Sequence, residues 1–151
     1  DTIPYWHQSL DYPGAFQIGI LHRFIAQLPE TETRVPANEL LLSENPMGSS
    51  HVRVLKHPGG QWVAAYIPSK QKITLDVRCF GVAGFEIRLF NPIYGITNKM
   101  SSDITESLIL NMTTPKNDQD WVLLLKAKPA SRSKQTEYRP CDHAVINQAT
   151  G

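Results

Sequence analysis

The chain has little of what membrane-spanning and nucleic-acid-binding proteins require. Its longest apolar stretches fall far short of the roughly 20 residues that cross a bilayer as a helix, and no run of Lys or Arg forms a basic tract. The formal net charge of the 151 residues is +1, whereas nucleic-acid-binding domains carry a clustered basic surface. We therefore expect neither a membrane span nor a nucleic-acid partner.

The residue spacings of catalytic and metal centres are also missing. The five histidines contain no pair at the short spacing typical of metal ligands. Ser49, Ser50 and His51 are adjacent, but no Gly-x-Ser-x-Gly motif surrounds them. The acidic residues are scattered, and Asp118 and Asp120 suit a solvated turn better than a pair of catalytic carboxylates. The sequence therefore predicts no metal site, no cofactor and no enzyme activity in this chain.

Cysteine is scarce, with only Cys79 and Cys141 present. Cys79 continues the alternation of Ile73, Leu75 and Val77, which predicts that it points inward, whereas Cys141 lies in a polar tail. In an extracellular protein the two would tend to form a disulfide that ties the tail to the domain. Two unrelated free thiols are the other interpretation, and the sequence alone leaves both open.

From residue 51 onward, apolar residues recur with the period of two that is typical of β-strands. The turn Pro58-Gly59-Gly60 separates two such runs and predicts a hairpin. The run from Trp62 to Ile67 is apolar on both faces, which predicts a central strand. Together the runs indicate an all-β fold, an antiparallel β-sandwich of about seven or eight strands. The runs are 51–56, 62–67, 73–77, 85–89, 95–100, 107–112 and 121–126.

The beginning of the chain has a helical pattern instead. Pro13 suits a first helical turn, and Pro29 ends the pattern. Apolar residues cover more than one side of the helix between them. We expect this helix, residues 14–28, to pack on the sandwich, on a second copy of the chain, or on both. The residues expected to mediate association between copies are Phe16, Ile20 and Phe24.

These patterns divide the chain into four parts. Residues 1–30 form the helical segment, 31–50 a linker, 51–128 the β-sandwich and 129–151 an extended polar tail.

Few aromatic residues are candidates for surface contacts. Trp62, Tyr66 and Trp121 are in phase with apolar positions, so we expect them in the core. Tyr94, in the turn from residue 91 to 95, is the best candidate for a binding surface, and Phe90, out of phase with the inner face, is the second.

One N-glycosylation sequon is present, Asn111-Met112-Thr113. The alternation of the surrounding strand pattern directs Asn111 to the outer face. We therefore expect Asn111 to be accessible to a glycan if the protein passes through a secretory pathway.

Several short blocks occur in a fixed order along the chain. They are His-Val-Arg-Val-Leu at 51–55, a glycine turn at 58–60, Trp-Val-Ala-Ala-Tyr-Ile-Pro at 62–68, Ile-Thr-Leu-Asp at 73–76, Leu-Phe-Asn-Pro at 89–92 with Gly95, and Asp-Trp-Val-Leu-Leu-Leu at 120–125. In this order they resemble the C-terminal domain family labelled "putative collagen-binding domain of a collagenase". In that family the domain follows an apiosidase-like (β/α)8 barrel related to glycoside hydrolases. Residues 6–28 resemble the last segment of such a barrel, including its final helix.

The resemblance implies a secreted, extracellular protein, which favours the Cys79–Cys141 disulfide and a glycan at Asn111. It also implies that the catalytic carboxylates lie on barrel strands upstream, because no residue here matches them. The expected function is that of a non-catalytic C-terminal module that braces the barrel or attaches it to extracellular polymer, either polysaccharide or collagen. The alternatives are an autonomous collagen- or carbohydrate-binding module, and part of a glycoside hydrolase whose catalytic residues lie upstream.

Overall fold

The structure, a computed structural model, describes residues 11–83, 85–100, 108–115 and 119–128. In these residues one α-helix, α1, spans Pro13–Ile25, and eight strands follow it. The strands are β1 (Val35–Pro36), β2 (Arg53–Lys56), β3 (Trp62–Ile67), β4 (Lys72–Asp76), β5 (Phe85–Asn91), β6 (Ile96–Met100), β7 (Ile109–Thr113) and β8 (Trp121–Ala127).

The strands form two sheets in which every pairing is antiparallel. The larger sheet has the order β1-β2-β3-β8-β5-β6, and the smaller one pairs β4 with β7. An antiparallel bridge between Leu41 and Leu75 adds a further contact beside β4. The predicted all-β sandwich is confirmed, as is the predicted hairpin formed by β2 and β3.

The main core lies between the two sheets. At its centre the cross-strand pairs Val63–Leu125 and Ala65–Leu123 join β3 to β8, and each of these four side chains is no more than 2% exposed. Leu75 of β4, which is 1% exposed, belongs to the same core from the smaller sheet. Burial of apolar surface on this scale is the dominant force that holds the two sheets together.

Strand β8 shows why apolar residues occupy both faces of the larger sheet. It lies between β3 and β5, and its first five residues are all buried. Val122 and Leu124 point away from the main core and pack instead with Phe24 and Leu28 from the helical segment. The larger sheet is therefore covered on both sides at its centre, which confirms the prediction of a central strand for β3, the neighbour of β8.

Helix α1 begins at Pro13, where the missing N–H of proline costs nothing. It ends at Ile25, and the backbone continues as a turn in which the Leu28 N–H donates to the Ile25 carbonyl at 2.9 Å. The helix is therefore shorter than predicted at its C-terminal end, but it packs on the sandwich as expected. Among the described residues, no helix is long and apolar enough to cross a membrane.

The segment predicted as a linker, residues 31–50, is part of the sandwich. Strand β1 pairs with β2 at the edge of the larger sheet, a position that tolerates Pro36 because an edge strand can lack one N–H. Ala37 and Leu40 are 0% and 2% exposed and belong to the main core. These apolar residues are close together and do not alternate with a period of two, so the sequence pattern did not predict that they belong to the core.

Candidate functional site

The outer face of the larger sheet, which faces away from β4 and β7, carries a second apolar cluster beneath α1. Phe24 of the helix stacks on Phe90 of β5, with ring centroids 4.1 Å apart and planes inclined by 12°. Such pairs add about 0.5–1.5 kcal/mol to the effect of area burial. The cluster, called the outer cluster below, comprises Phe24, Leu28, Trp62, Phe90, Val122 and Leu124.

The prediction that Phe90 is a surface aromatic is wrong. Strand alternation does direct Phe90 to the outer face, as its phase indicated, but α1 covers that face and leaves Phe90 only 3% exposed. The sequence could not show that the helix lies over this position.

Two hydrogen bonds fasten the residues after α1 to the β2–β3 hairpin. Trp62 Nε1 donates to the Pro29 carbonyl at 2.9 Å. The Gly59 N–H donates to His57 Nδ1 at 2.9 Å, so His57 Nε2 is the ring donor to Glu30 Oε2, 3.0 Å away. His57 is 5% exposed because it fills this junction.

Helix α1 has a second apolar stripe that the sheet does not cover. Ile18, Leu21 and Ile25 are spaced by three and four residues, which places them on one side of the helix. They are 71%, 39% and 41% exposed. These three residues, called the α1 stripe, were not singled out from the sequence, although their spacing is the signal that would have identified them.

The residues predicted to join two copies of the chain have different environments. Phe24 is 7% exposed in the outer cluster, whereas Phe16 is 64% exposed. Ile20 is half-buried and packs at the outer cluster. Phe24 therefore contacts the sheet of its own chain and is not available to a partner, because the sheet provides the apolar surface that the prediction assigned to a second copy.

The turn between β5 and β6 is held by an asparagine. Asn91 Oδ1 accepts hydrogen bonds from the N–H groups of Ile93 at 2.9 Å and Tyr94 at 3.3 Å, and Gly95 closes the turn with φ at +69°. A side chain at Gly95 would also meet Ile20 of α1 at 3.1 Å. Tyr94 is 62% exposed, so the structure places this predicted binding residue on the surface.

Tyr66, expected in the core, lies on the surface at 39% exposure. Its hydroxyl donates to Asp120 Oδ2 at 2.7 Å. Partial burial and the hydrogen bond to the Asp120 carboxylate raise the pKa of Tyr66 to about 12, since both disfavour the phenolate. The strand alternation places Tyr66 on the outer face beside Arg53 and Val122, at a point where α1 does not cover it.

Charged residues occupy the part of the outer face near β6. Glu86 Oε1 lies 2.9 Å from Lys99 Nζ, and Arg88 Nη2 donates to Glu86 Oε2 at 3.1 Å. Lys99 and Arg88 together lower the pKa of Glu86 to about 2, because two cations favour the charged carboxylate.

The two candidate modification sites differ in what the structure describes. Asn111 lies exposed on β7, and its Oδ1 accepts a hydrogen bond from the Thr74 hydroxyl at 2.8 Å. Cys79 has no disulfide partner among the described residues and is half-buried against the main core. Cys141 lies outside the described residues, so the pairing of Cys79 with Cys141 stays a prediction.

No group of three or more His, Cys, Asp or Glu side chains within the described ranges is arranged to hold a metal ion. The described part of the outer face carries apolar, aromatic and charged side chains.

Solved structures with a similar fold belong to glycoside hydrolases. One, named "Glycoside hydrolase", has a TM-score of 0.69 at 14% identity. The likeness covers 83% of this chain and 28% of that protein. Another, a glycoside hydrolase family 5 protein from Bacteroides vulgatus, has a TM-score of 0.69 at 16% identity, with 80% of this chain covering 26% of that one. At these identities the likeness shows the fold alone, and the chain spans about a quarter of the length of either protein.

The search of curated proteins finds no match to this chain. A family described as "Putative collagen-binding domain of a collagenase" matches residues 35–126, which include all eight strands apart from the last residue of β8. Because the match extends over more than half of the sequence, the chain belongs to this family.

Proposed function

We propose that this domain is a non-catalytic C-terminal module that braces a preceding glycoside-hydrolase-like barrel. The observation that carries the proposal is the double-sided packing of α1. One side of the helix is buried in the outer cluster through Phe24, which Leu28 joins from the turn after the helix, while the α1 stripe on another side stays exposed. A helix with two apolar sides is suited to lie between two bodies.

The occupant of the α1 stripe in this proposal is the barrel domain that precedes the module. Two findings support it. The similar solved structures are glycoside hydrolases about four times as long as the region they share with this chain. The helix also comes before the residues that match the family, 35–126. It is therefore close in sequence to the point where a preceding barrel would join.

The proposal is tested in a two-domain protein that contains this module and a preceding barrel. Ile18→Lys and Leu21→Lys should change the melting temperature of the isolated module little, because substitutions of exposed side chains usually alter stability by about 0.5 kcal/mol or less. In the two-domain protein they should separate a single melting transition into two. Calorimetry on both proteins measures this difference.

Leu42→Lys is the matched control. Leu42 is 53% exposed, as an apolar side chain outside α1, and its replacement should leave the two domains coupled. If the two domains melted in a single transition in both the Leu21→Lys and the Leu42→Lys protein, bracing by α1 would be contradicted. Sedimentation of the isolated module at several concentrations tests the rival occupant, a second copy, since self-association abolished by Ile18→Lys would assign the stripe to a dimer interface.

Attachment to an extracellular polymer is a second candidate function, and the β5–β6 turn favours it. Tyr94 is 62% exposed, and Ile93 and Ile96 beside it are 36% and 54% exposed. An aromatic ring among apolar neighbours on a rigid turn provides a surface on which a sugar ring or a proline-rich chain can pack. In this function the ligand is collagen or polysaccharide, and the module could also act on its own.

Adsorption assays distinguish the two functions. Tyr94→Ala should weaken adsorption to fibrillar collagen or to insoluble polysaccharide and leave the melting temperature nearly unchanged. Ile96→Ala, an apolar truncation at the same turn, serves as the control for loss of the aromatic ring. Unchanged adsorption in the Tyr94→Ala protein would exclude this turn as the binding surface.

This function requires an extracellular location, and from that location we predict two covalent modifications. Mass spectrometry of the secreted protein should find a glycan at Asn111, whose side chain is exposed, and a disulfide between Cys79 and Cys141. Two freely titrating thiols in the native secreted protein would refute the disulfide. Turnover of glycosides or gelatin by the repurified module would refute its assignment as non-catalytic.

A further inference from the structure

A small cleft of about 50 Å³ opens beside the end of α1 on the outer face of the larger sheet. Phe24, Leu28 and Leu124 contribute its apolar walls, and Gln27, Thr97, Arg88 and Lys126 contribute its polar groups. We propose that this cleft binds the carboxylate of a Glu or Asp side chain presented by a protein partner.

Arg88 supplies a donor for such a ligand. Its Nη2 is bonded to Glu86 Oε2 at 3.1 Å, which fixes the orientation of the guanidinium. Its Nε–H is buried and has no acceptor among the described residues. A buried donor without an acceptor is costly, so a ligand carboxylate oxygen that reaches this N–H when the side chains over it move aside removes that cost.

The charge around the cleft favours an anion. Among the described residues here, three cationic side chains, Arg88, Lys99 and Lys126, lie near one carboxylate, Glu86, which is the cross-strand neighbour of Lys126. Arg88 and Lys99 are already paired with Glu86. Lys126 has no ion pair within the described part of the chain, so its ammonium group is available to a second carboxylate.

The size and walls of the cleft favour an acidic side chain over an acidic sugar. A volume of about 50 Å³ corresponds to a few spheres of roughly 10–15 Å³, the space occupied by one water-sized probe. A carboxylate on a flexible methylene stem can enter such a space, whereas a pyranose ring is several times larger. The apolar walls can pack against the methylene groups, as they do against the stems of other amphipathic side chains.

The cleft is distinct from the surface proposed to contact a barrel. None of Ile18, Leu21 and Ile25 lines it, so carboxylate binding and bracing can succeed or fail independently.

The test is a titration of the whole 151-residue chain with N-acetylglutamate amide, followed by NMR. The Nε–H signal of Arg88 should shift with this ligand and not with N-acetylglutamine amide, which has nearly the same shape without the charge. Binding should weaken as ionic strength rises. Lys126→Met should weaken it about tenfold, the effect expected for one charge-assisted hydrogen bond.

Lys72→Met is the matched control, because Lys72 is an exposed lysine on β4 in the other sheet. It should leave the affinity unchanged. Arg88→Lys should weaken binding of the glutamate ligand, since it keeps the charge but removes the Nε–H.

The proposal is overturned if Arg88 Nε–H does not respond up to the solubility limit of the ligand, if the glutamine analogue binds equally, or if the two lysine variants behave alike. Binding of oligogalacturonate without binding of the glutamate ligand would assign the cleft to an acidic polysaccharide instead. Equal shifts with inorganic phosphate would show an adventitious ion only and would also overturn the proposal.

Discussion

The two faces of the larger sheet are both apolar, but they are covered to different extents. In the described part of the chain, the inner face packs against β4 and β7 and forms a core of 19 buried residues. Among the described residues, only α1 and the turn after it lie over the outer face, where six buried residues form a cluster. Around that cluster lie exposed or charged side chains, such as Tyr66, Arg88 and Lys126.

This difference is consistent with binding surfaces on one face, as proposed above, and with a role of the other face in maintaining the fold. A fully enclosed core leaves no group free to meet a partner, and its residues contribute to stability. A partly covered face keeps apolar stripes, polar donors and a cleft within reach of another molecule. Every binding surface proposed above accordingly lies on α1, on the outer face or at its margin.

The largest expected effect is on the inner face. Trp121 at the start of β8 is 5% exposed in the main core, so Trp121→Ala should reduce the free energy of unfolding by about 3–5 kcal/mol, as for other buried large aromatics. Chemical denaturation measures the loss. A loss below about 1 kcal/mol would show that Trp121 is not enclosed by the core.

Phe24→Ala should reduce the free energy of unfolding by a smaller amount, about 2–3 kcal/mol. Helix α1 has an open margin, so it can shift and fill part of the space that Phe24 leaves. Hydrogen exchange should show α1 amides losing protection while β3 and β8 keep theirs. A double-mutant cycle with Phe90→Ala measures the stacking contact. Equal loss of protection in α1 and in the sheet would mean that the two layers unfold as one unit.

The two tryptophans offer a finer comparison of the faces. Trp62 Nε1 donates to the Pro29 carbonyl, whereas Trp121 Nε1 is buried with no acceptor among the described residues. Replacement by Phe removes a similar volume from each, so Trp62→Phe should cost about 1 kcal/mol more than Trp121→Phe, the typical contribution of one hydrogen bond. Denaturation of both variants under one set of conditions tests this, and an equal cost would contradict it.

The smallest expected effect is electrostatic and is confined to acid. The pKa of Glu86 falls from 4.5 to about 2 in the folded protein, so Glu86 adds stability that is fully present above pH 4.5. That contribution is lost as the pH falls from about 4.5 towards 2, because in this range the unfolded state binds a proton on Glu86 and the folded state does not. Unfolding measured across this range should depend less steeply on pH in Glu86→Gln than in the original protein.

Lys56 and Glu39 provide the control for that measurement. They form another surface pair, with Lys56 Nζ 3.1 Å from Glu39 Oε1, and it lies away from the outer face. If Glu39→Gln flattened the acid dependence as much as Glu86→Gln does, the effect would not belong to the Glu86 cluster.

The sequence by itself determined the strands, their antiparallel arrangement and the family. A period of two, as in β4 and β5, is the pattern of a strand with one face buried. The glycine turn before Trp62 lies between two such runs, which is the pattern of a hairpin. The exposure of Tyr94 also followed from local information, since a turn closed by Gly95 projects its side chains from the sheet.

Only the tertiary structure decided what lies over each face. The phase of β5 directs Phe90 outward, but whether outward means solvent depends on the position of α1, and strand periodicity carries no information about that position. The burial of Ala37 and His57 and the exposure of Tyr66 have the same origin. They are set by contacts between segments distant in sequence, such as that of Glu30 with His57, and not by the residues adjacent to each position.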